Sequence, residues 1–258
     1  MEIHTLASGS SGNCILISHN GAHILVDAGI SCRRITTALR SLGVEPSELL
    51  GVCITHEHSD HISGLAVLTK QFSLPVYTSP GTARQLCYRM AGLEDLICPV
   101  SPGEGTRAGP YRLDSFPTSH DAAEPMGFTF TADRRRAAVV TDLGYISDEV
   151  LDGVLGSQAV VCESNHDVEW LQSGPYPIYL KARILGDKGH LSNEAGAALA
   201  LQCAQAGAHT VVLAHLSAEN NSPARAFETT RQALCAGGFE TVTLAVAPRS
   251  TTSERYEV

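Results

Sequence analysis

The chain has 258 residues, 43% hydrophobic and 17% charged, which suits a globular protein with a substantial core. Its formal charge of −9 argues against a broad basic surface for nucleic acid; each divalent cation adds two charges, so two would bring −9 to −5 and place them where they act. No apolar run approaches the roughly 20 residues of a membrane span, the first residues lack an export-signal layout, and the eight cysteines are scattered with no C-x-x-C pair. A cytoplasmic location with no membrane partner is therefore expected, with neither a disulfide framework nor a thiolate zinc site.

Short apolar runs predict strands over 3–6, 14–18 and 23–27, separated by Ser8-Gly9-Ser10-Ser11-Gly12-Asn13 and by the hairpin signal Asn20-Gly21. An amphipathic helix is expected over 32–42, closed by Gly43. A buried strand over 51–54 runs directly into Thr55-His56-Glu57-His58-Ser59-Asp60-His61. Further helices are expected over 62–71, 81–90, 147–155, 192–206 and 223–236, and further strands over 75–77, 111–117, 127–132, 137–141, 159–162, 210–214 and 241–246. Strands occur both in hairpins and between helices, with no repeat and no low-complexity linker. This predicts a single domain over 1–258 built as a helix–sheet–sheet–helix sandwich. Arg134-Arg135-Arg136 reads as a solvated hairpin tip and the polar tail 249–258 as loose.

The chemistry concentrates after the strand over 51–54, where four ligand-type side chains, His56, His58, Asp60 and His61, fall within six residues. A loop is required, because residues two apart diverge by about 200° on a helix. Imidazole with carboxylate favours zinc, manganese or iron over calcium or magnesium. More ligands must come from elsewhere. His120, Asp142 and His215 each follow an apolar strand and precede a turn, though any one alone could be an ordinary strand-end polar residue.

In this order, Asp27, His56-x-His58-x-Asp60-His61, His120, Asp142 and His215 resemble the metallo-β-lactamase fold over nearly the whole chain. The resemblance implies an α+β, four-layer αββα sandwich of the metallo-β-lactamase type. It also implies one metal on His56, His58 and His120, a second on Asp60, His61 and His215, and Asp142 bridging them. Asp27 would be a buried carboxylate that orients the ligand loop without binding metal. Asp142 stands where the commonest true β-lactamases of the fold carry cysteine, and His58 where its flavodiiron oxidoreductases carry glutamate, so both activities are disfavoured.

Five neutral imidazoles, two carboxylates and two divalent ions leave a site of charge +2, or +1 with a bridging hydroxide, and such a centre attracts a phosphate. Such a pair generates the hydroxide nucleophile and supports in-line displacement on a phosphodiester, with Asp60 able to hold the proton, but it suits lactones and thioesters equally. Gly189-His190-Leu191-Ser192 is similar to a segment of the tRNase Z-like nucleases, which implies a phosphate-binding or leaving-group-protonating role for His190; helix capping beside Ser192 is the alternative. A narrower resemblance, to the YycJ (WalJ) family, rests on Leu6-Ala7-Ser8-Gly9-Ser10-Ser11-Gly12-Asn13, Glu163-Ser164-Asn165-His166-Asp167, Gly174-Pro175-Tyr176-Pro177, Leu180-Lys181-x-Arg183-Ile184, Gly189-His190-Leu191-Ser192-Asn193 and His215-Leu216-Ser217-Ala218-Glu219-Asn220-Asn221. It implies a 5′-to-3′ DNA exonuclease.

Among these segments, the loop containing Ser10 and Asn13 reads either as a backbone nest for phosphate or as a simple tight turn. Asn165 and His166 follow a strand and should reach the same rim, His166 contacting phosphate or making a structural hydrogen bond. Lys181 and Arg183 either contact a nucleic-acid backbone or solvate a helix. The leading expectation is therefore a hydrolase with two divalent metal ions (Zn, Mn or Fe) and DNA as its partner. RNA processing or cyclic-phosphodiester hydrolysis comes second, then a lactonase or thioester hydrolase, then a non-enzymatic regulator that keeps the fold. Metal identity and homo-oligomer formation are left open.

Overall fold

In the computed structural model, which describes Met1–Val258, the strands are β1 (Glu2–Ala7), β2 (Cys14–His19), β3 (Ala22–Val26), β4 (Leu49–Cys53), β5 (Val76–Thr78), β6 (Ile97–Pro99), β7 (Thr106–Ala108), β8 (Tyr111–Pro117), β9 (Met126–Ala132), β10 (Arg135–Val140), β11 (Ala159–Glu163), β12 (Thr210–Ala214), β13 (Thr243–Val246) and β14 (Tyr256–Glu257). The helices are α1 (Cys32–Ser41), α2 (Ser59–Ile62), α3 (Leu65–Phe72), α4 (Pro80–Arg89), α5 (Asp148–Val154), α6 (Val168–Ser173), α7 (Ile178–Leu185), α8 (Asn193–Gln205) and α9 (Pro223–Ala236). Two seven-stranded sheets form, in the orders β14-β1-β2-β3-β4-β5-β6 and β13-β12-β11-β10-β9-β8-β7.

The layers follow from strands that are apolar on both faces. Ile15 and Ile17 of β2 point between the sheets to meet Phe128, Phe130 and Val161 of the second sheet, whereas Cys14 and Leu16 point outward under Ile35, Leu39 and Leu68 of α1 and α3. The second sheet repeats the pattern: Val160, Cys162 and Leu213 face Val150 of α5, Leu199 of α8 and Leu234 of α9. The result is the four-layer αββα sandwich, with a central sheet-to-sheet core and one core beneath each helical layer.

This topology also decides where function can sit. Strands β3 to β6 are mutually parallel, and so are β10 to β13. Strands β8 and β10 both pair antiparallel with β9, so they too run the same way. The loops after β3, β4, β8, β10, β11 and β12 therefore leave at carboxyl ends, where ligands gather in layered folds.

Three expectations are corrected. The helix over 62–71 begins only at Leu65; before it the single turn α2 takes in Asp60 and His61, expected in a loop. The two part at Ser63-Gly64 because the Asp60 and His61 carbonyls accept from Asn13 and Ala28 and the Gly64 N–H donates to the Ala28 carbonyl. Arg136 is not part of a solvated tip; its guanidinium donates to the Leu155 and Gly153 carbonyls, packing β10 against α5. The tail is not loose. Ser253 donates its N–H to the Thr5 carbonyl, β14 pairs antiparallel with β1, and Tyr256 and Val258 are buried in the inter-sheet core. All eight cysteines are free thiols, and no helix is long and apolar enough to cross a membrane.

Removing residues 250–258 should expose the edge of β1 and take Tyr256 and Val258 out of the inter-sheet core. At 1.5–3 kcal/mol per large buried side chain, the loss is about 3 kcal/mol or more, so thermal unfolding should shift down by roughly 6–12 °C. A truncated chain melting with the full-length protein would show that the tail adds nothing.

Candidate metal centre

The loop after β4 is stapled down before it presents its ligands. The Asp60 carbonyl accepts the Asn13 N–H at 2.7 Å, and the His61 carbonyl accepts that of Ala28 at 2.8 Å. Gly29 allows this approach, since a Cβ there would lie 1.7 Å from the Asp60 carbonyl oxygen. Asp27 holds the other side: its carboxylate accepts from the Thr55 N–H at 2.9 Å, from the Thr55 hydroxyl and from His61 Nδ1 at 2.7 Å. The expected orienting role of Asp27 thus has a direct geometric basis.

All seven predicted ligands converge. His56, His58 and His120 bring donor atoms within 4.8 Å of one another; so do Asp60, His61 and His215, and so do His56, His61 and Asp142. Asp142 lies between the two outer groups, with Oδ2 3.3 Å from His61 Nε2 and Oδ1 3.8 Å from His120 Nε2. Asp60 Oδ2 stands 3.5 Å from His61 Nε2 and 3.4 Å from His215 Nε2.

The imidazole tautomers suit metal binding. A carbonyl or carboxylate oxygen can only accept, so a ring nitrogen bonded to one must carry the proton. His120 Nδ1 donates to the Gly189 carbonyl at 3.1 Å, His61 Nδ1 to Asp27, and His215 Nδ1 to Glu163 Oε1 at 2.7 Å. When neutral, each ring turns an Nε2 lone pair toward the centre. His56 Nε2 and Asp142 Oδ2 are buried with no hydrogen-bond partner, which buried polar atoms seldom tolerate unless something else satisfies them. This donor set fits divalent transition-metal ions.

The electrostatics show how tightly the charges are coupled. Burial would lower His215, but Asp142 and the hydrogen bonds to Asp60 and Glu163 raise it to about 10. His61 likewise resists burial and is held well above the usual range by Asp27 and Asp142. Burial and then His61 hold His56 well below it. Burial alone would raise Asp60 and Asp142, yet the surrounding imidazoles, His215 foremost, hold both below the usual carboxylate range.

Two residues at the centre escaped sequence reasoning. Glu163 is fully buried and accepts from His190 Nδ1 at 2.9 Å, His215 Nδ1, and the Leu143 and Leu191 N–H groups. Burial would raise its carboxyl, but His190 and His215 bring it down to about 2. It ends an apolar strand just as Asp142 and His215 follow theirs, and that signal was available. Asp121 has no such signal; it lies 3.4 Å from His120 Nε2 and 4.0 Å from His58 Nε2, and accepts from Arg183 Nε at 2.6 Å.

The predicted substrate residues divide. Ser10, Asn165, Arg183 and His190 line a cleft of about 230 Å³ beside the centre. Asn13 does not: it is buried, its side chain bonded to Gly9 and 3.1 Å from His61 Nε2. In the expected phosphate nest, the N–H groups of Ser8, Gly9, Gly12 and Asn13 are taken by protein acceptors, which leaves those of the exposed Ser10 and Ser11. His166 is buried and lines no part of the cleft, and neither ring nitrogen has a hydrogen-bond partner. Lys181 points away as well, its ammonium donating to the Gln172 carbonyl at 2.6 Å to tie α7 to α6. The largest concavity, about 730 Å³ beside Phe116 and α5, contains none of these residues, and the ligand constellation decides against it as the reactive site.

Without metal, the raised values of His61 and His215 mean that both hold protons near neutral pH, and ligation requires each to lose one. Metal binding should therefore release protons, and apparent affinity should climb as pH goes from about 6 to about 8. Calorimetric titration of zinc or manganese in buffers of different ionisation enthalpy measures this; binding without net proton release would refute it. Asp27→Ala should weaken metal affinity by about 10–100-fold.

Comparisons with known proteins bear on the family and the fold. The model of the Metallo-beta-lactamase superfamily matches residues 7–215. The chain is 38% identical over 240 residues to "Exodeoxyribonuclease YycJ" of Bacillus anthracis, covering 93% of this chain and 91% of that one. It is also 38% identical over 219 residues to "Exodeoxyribonuclease WalJ" of Streptococcus pneumoniae serotype 2 (84% and 81% covered). Among solved structures, the metallo-beta-lactamase fold protein YhfI from Bacillus subtilis superposes with a TM-score of 0.71 at 16% identity, over 98% of this chain and 99% of that one, which speaks for the fold alone. The chain belongs to the metallo-β-lactamase superfamily and, within it, to the YycJ/WalJ family.

Proposed function

We propose that this metal-dependent hydrolase is a dinuclear phosphodiesterase acting as a 5′-to-3′ DNA exonuclease. His56, His58 and His120 would hold one ion, Asp60, His61 and His215 the other, with Asp142 between them. Bound divalent ions supply Lewis-acid polarisation of the phosphate and activation of the attacking water. The chain's own groups manage the protons. Asp60, 22% exposed at its side chain and facing the centre, receives the proton of the water. His190 keeps Nδ1–H on Glu163 and acts as the imidazolium, donating its Nε2–H to the leaving oxygen.

The observation that carries this reading is the His190–Glu163 pair, a proton donor held at hydrogen-bond distance beside a double ligand set. Departure of an alkoxide needs a proton; lactone opening at the same centre would instead call for an apolar acyl pocket. The adjoining cleft carries Arg183 and Lys188 and only three apolar residues. The choice of DNA over RNA is supported by the names of the 38%-identical relatives.

The experiment offers manganese- or zinc-loaded protein 5′-phosphorylated DNA, matching RNA and a lactone, beside Asp60→Ala. DNA should be degraded fastest, with the variant slower by about 10²–10⁴-fold. Equal behaviour of wild type and Asp60→Ala on every substrate would end the hydrolase reading, and degradation of RNA alone would replace the substrate.

His190→Ala should slow DNA cleavage by a similar factor of about 10²–10⁴. It should slow bis(4-nitrophenyl) phosphate far less, because nitrophenolate departs without a proton. An equal loss on both substrates would assign His190 to structure or binding instead.

A further inference from the structure

The cleft of about 230 Å³ lies on one side of the centre, against His190. It is small beside the ~300–1,000 Å³ of ordinary small-molecule sites, with room for about one nucleotide residue. Tyr176, Leu180 and Ile184 contribute an apolar and aromatic surface of the kind that receives a base or sugar, and Arg183 and Lys188 contribute cations. Arg183 is paired with Asp121, whereas Lys188 is exposed and forms no ion pair.

In-line displacement places the attacking oxygen and the leaving oxygen on opposite sides of phosphorus. The fragment that departs with a proton from His190 must therefore occupy the cleft that His190 lines. If it left through O5′, it would be a 3′-terminal nucleoside with no charge of its own, and Lys188 would face a neutral ligand. If it leaves through O3′, it is a 5′-terminal nucleotide whose own phosphate remains attached, and the cation has an anion to meet.

From this geometry we infer that the cleft is a binding pocket for a single 5′-phosphorylated terminal nucleotide, with Lys188 selecting the terminal phosphate and Tyr176, Leu180 and Ile184 receiving the nucleoside. The inference rests on the phosphodiesterase reading above. The water oxygen bonds to phosphorus as the P–O3′ bond breaks, O3′ takes that electron pair and the His190 proton, and the water's proton passes to Asp60. A deoxynucleoside 5′-monophosphate is released, and the shortened strand carries a new 5′-phosphate. Each turnover thus regenerates the end that the pocket selects.

The test uses the metal-loaded full chain and uniformly labelled single-stranded DNA bearing a 5′-phosphate or a 5′-hydroxyl. Wild type should release mononucleotides from the first turnover and favour the phosphorylated end by about tenfold or more, the range expected of one charge-assisted contact. Lys188→Glu should bring that ratio close to one, a change that general damage to the fold would not produce. Deoxyadenosine 5′-monophosphate should bind one per chain in calorimetry, at least about tenfold more tightly than deoxyadenosine, and Ile184→Trp should weaken it.

Release of di- or oligonucleotides, equal rates on both ends, or a wild-type ratio in Lys188→Glu would overturn the pocket. Bis(4-nitrophenyl) phosphate separates the two levels. If it is cleaved but the monophosphate does not bind, only the pocket is wrong. If neither it nor DNA is cleaved, the nuclease reading fails, and monophosphate binding in wild type against Lys188→Glu still decides the pocket.

Discussion

The site depends on buried carboxylates that can only accept hydrogen bonds. Asp27 and Glu163 coordinate nothing in the proposed arrangement, yet between them they take the Nδ1 protons of His61, His215 and His190. Each bond fixes a tautomer and a ring plane at once, and leaves the opposite nitrogen facing the centre. A histidine cluster without them would be a set of rotating rings with undefined lone pairs. Burying these carboxylates is tolerated because each is saturated: Asp27 holds Thr55 twice over, and Glu163 also takes two backbone N–H groups.

Backbone strain serves the same end. Asp27, Asp142 and His215 all adopt left-handed φ values, 60°, 62° and 57°, within two residues of the ends of their strands. Such a conformation costs a non-glycine residue of order 1 kcal/mol, and Asp and His tolerate it better than most. It turns the side chain back over the carboxyl edge of its sheet instead of letting it follow the strand direction. The ligands from the second sheet thereby meet those on the loop from the first, across the interface that the large inter-sheet core holds closed.

What could be read in advance was whatever sequence proximity encodes. The segment from His56 to His61 was legible because its candidate ligands are neighbours in the chain, and His120, Asp142 and His215 because each follows an apolar strand. The four layers were legible from uninterrupted apolar strands alternating with amphipathic helices. What failed depended on partners far away in sequence. Whether the Ser8 and Asn13 N–H groups are free turns on the Arg249 and Asp60 carbonyls, and whether the tail is ordered turns on β1. Lys181 was misread because its partner is a backbone carbonyl of α6, and helices α6 and α7 are too short to declare themselves. Glu163 stands within a sequence motif, but its role appears only once β11 lies beside β10 and β12.

The Ser8–Asn13 loop has a bearing on biosynthesis. Its Ser8 hydroxyl accepts the His215 N–H at 2.8 Å, while Asn13 holds the Asp60 carbonyl. The segment is thus bonded to a candidate ligand segment made soon after it and to another made 207 residues later. Until residue 215 emerges, the nascent chain displays the imidazoles of the first sheet without the side chains that complete them. In the proposed arrangement an ion bound at that stage would lack His120, Asp142 and His215, so full coordination requires the second sheet to close on the first.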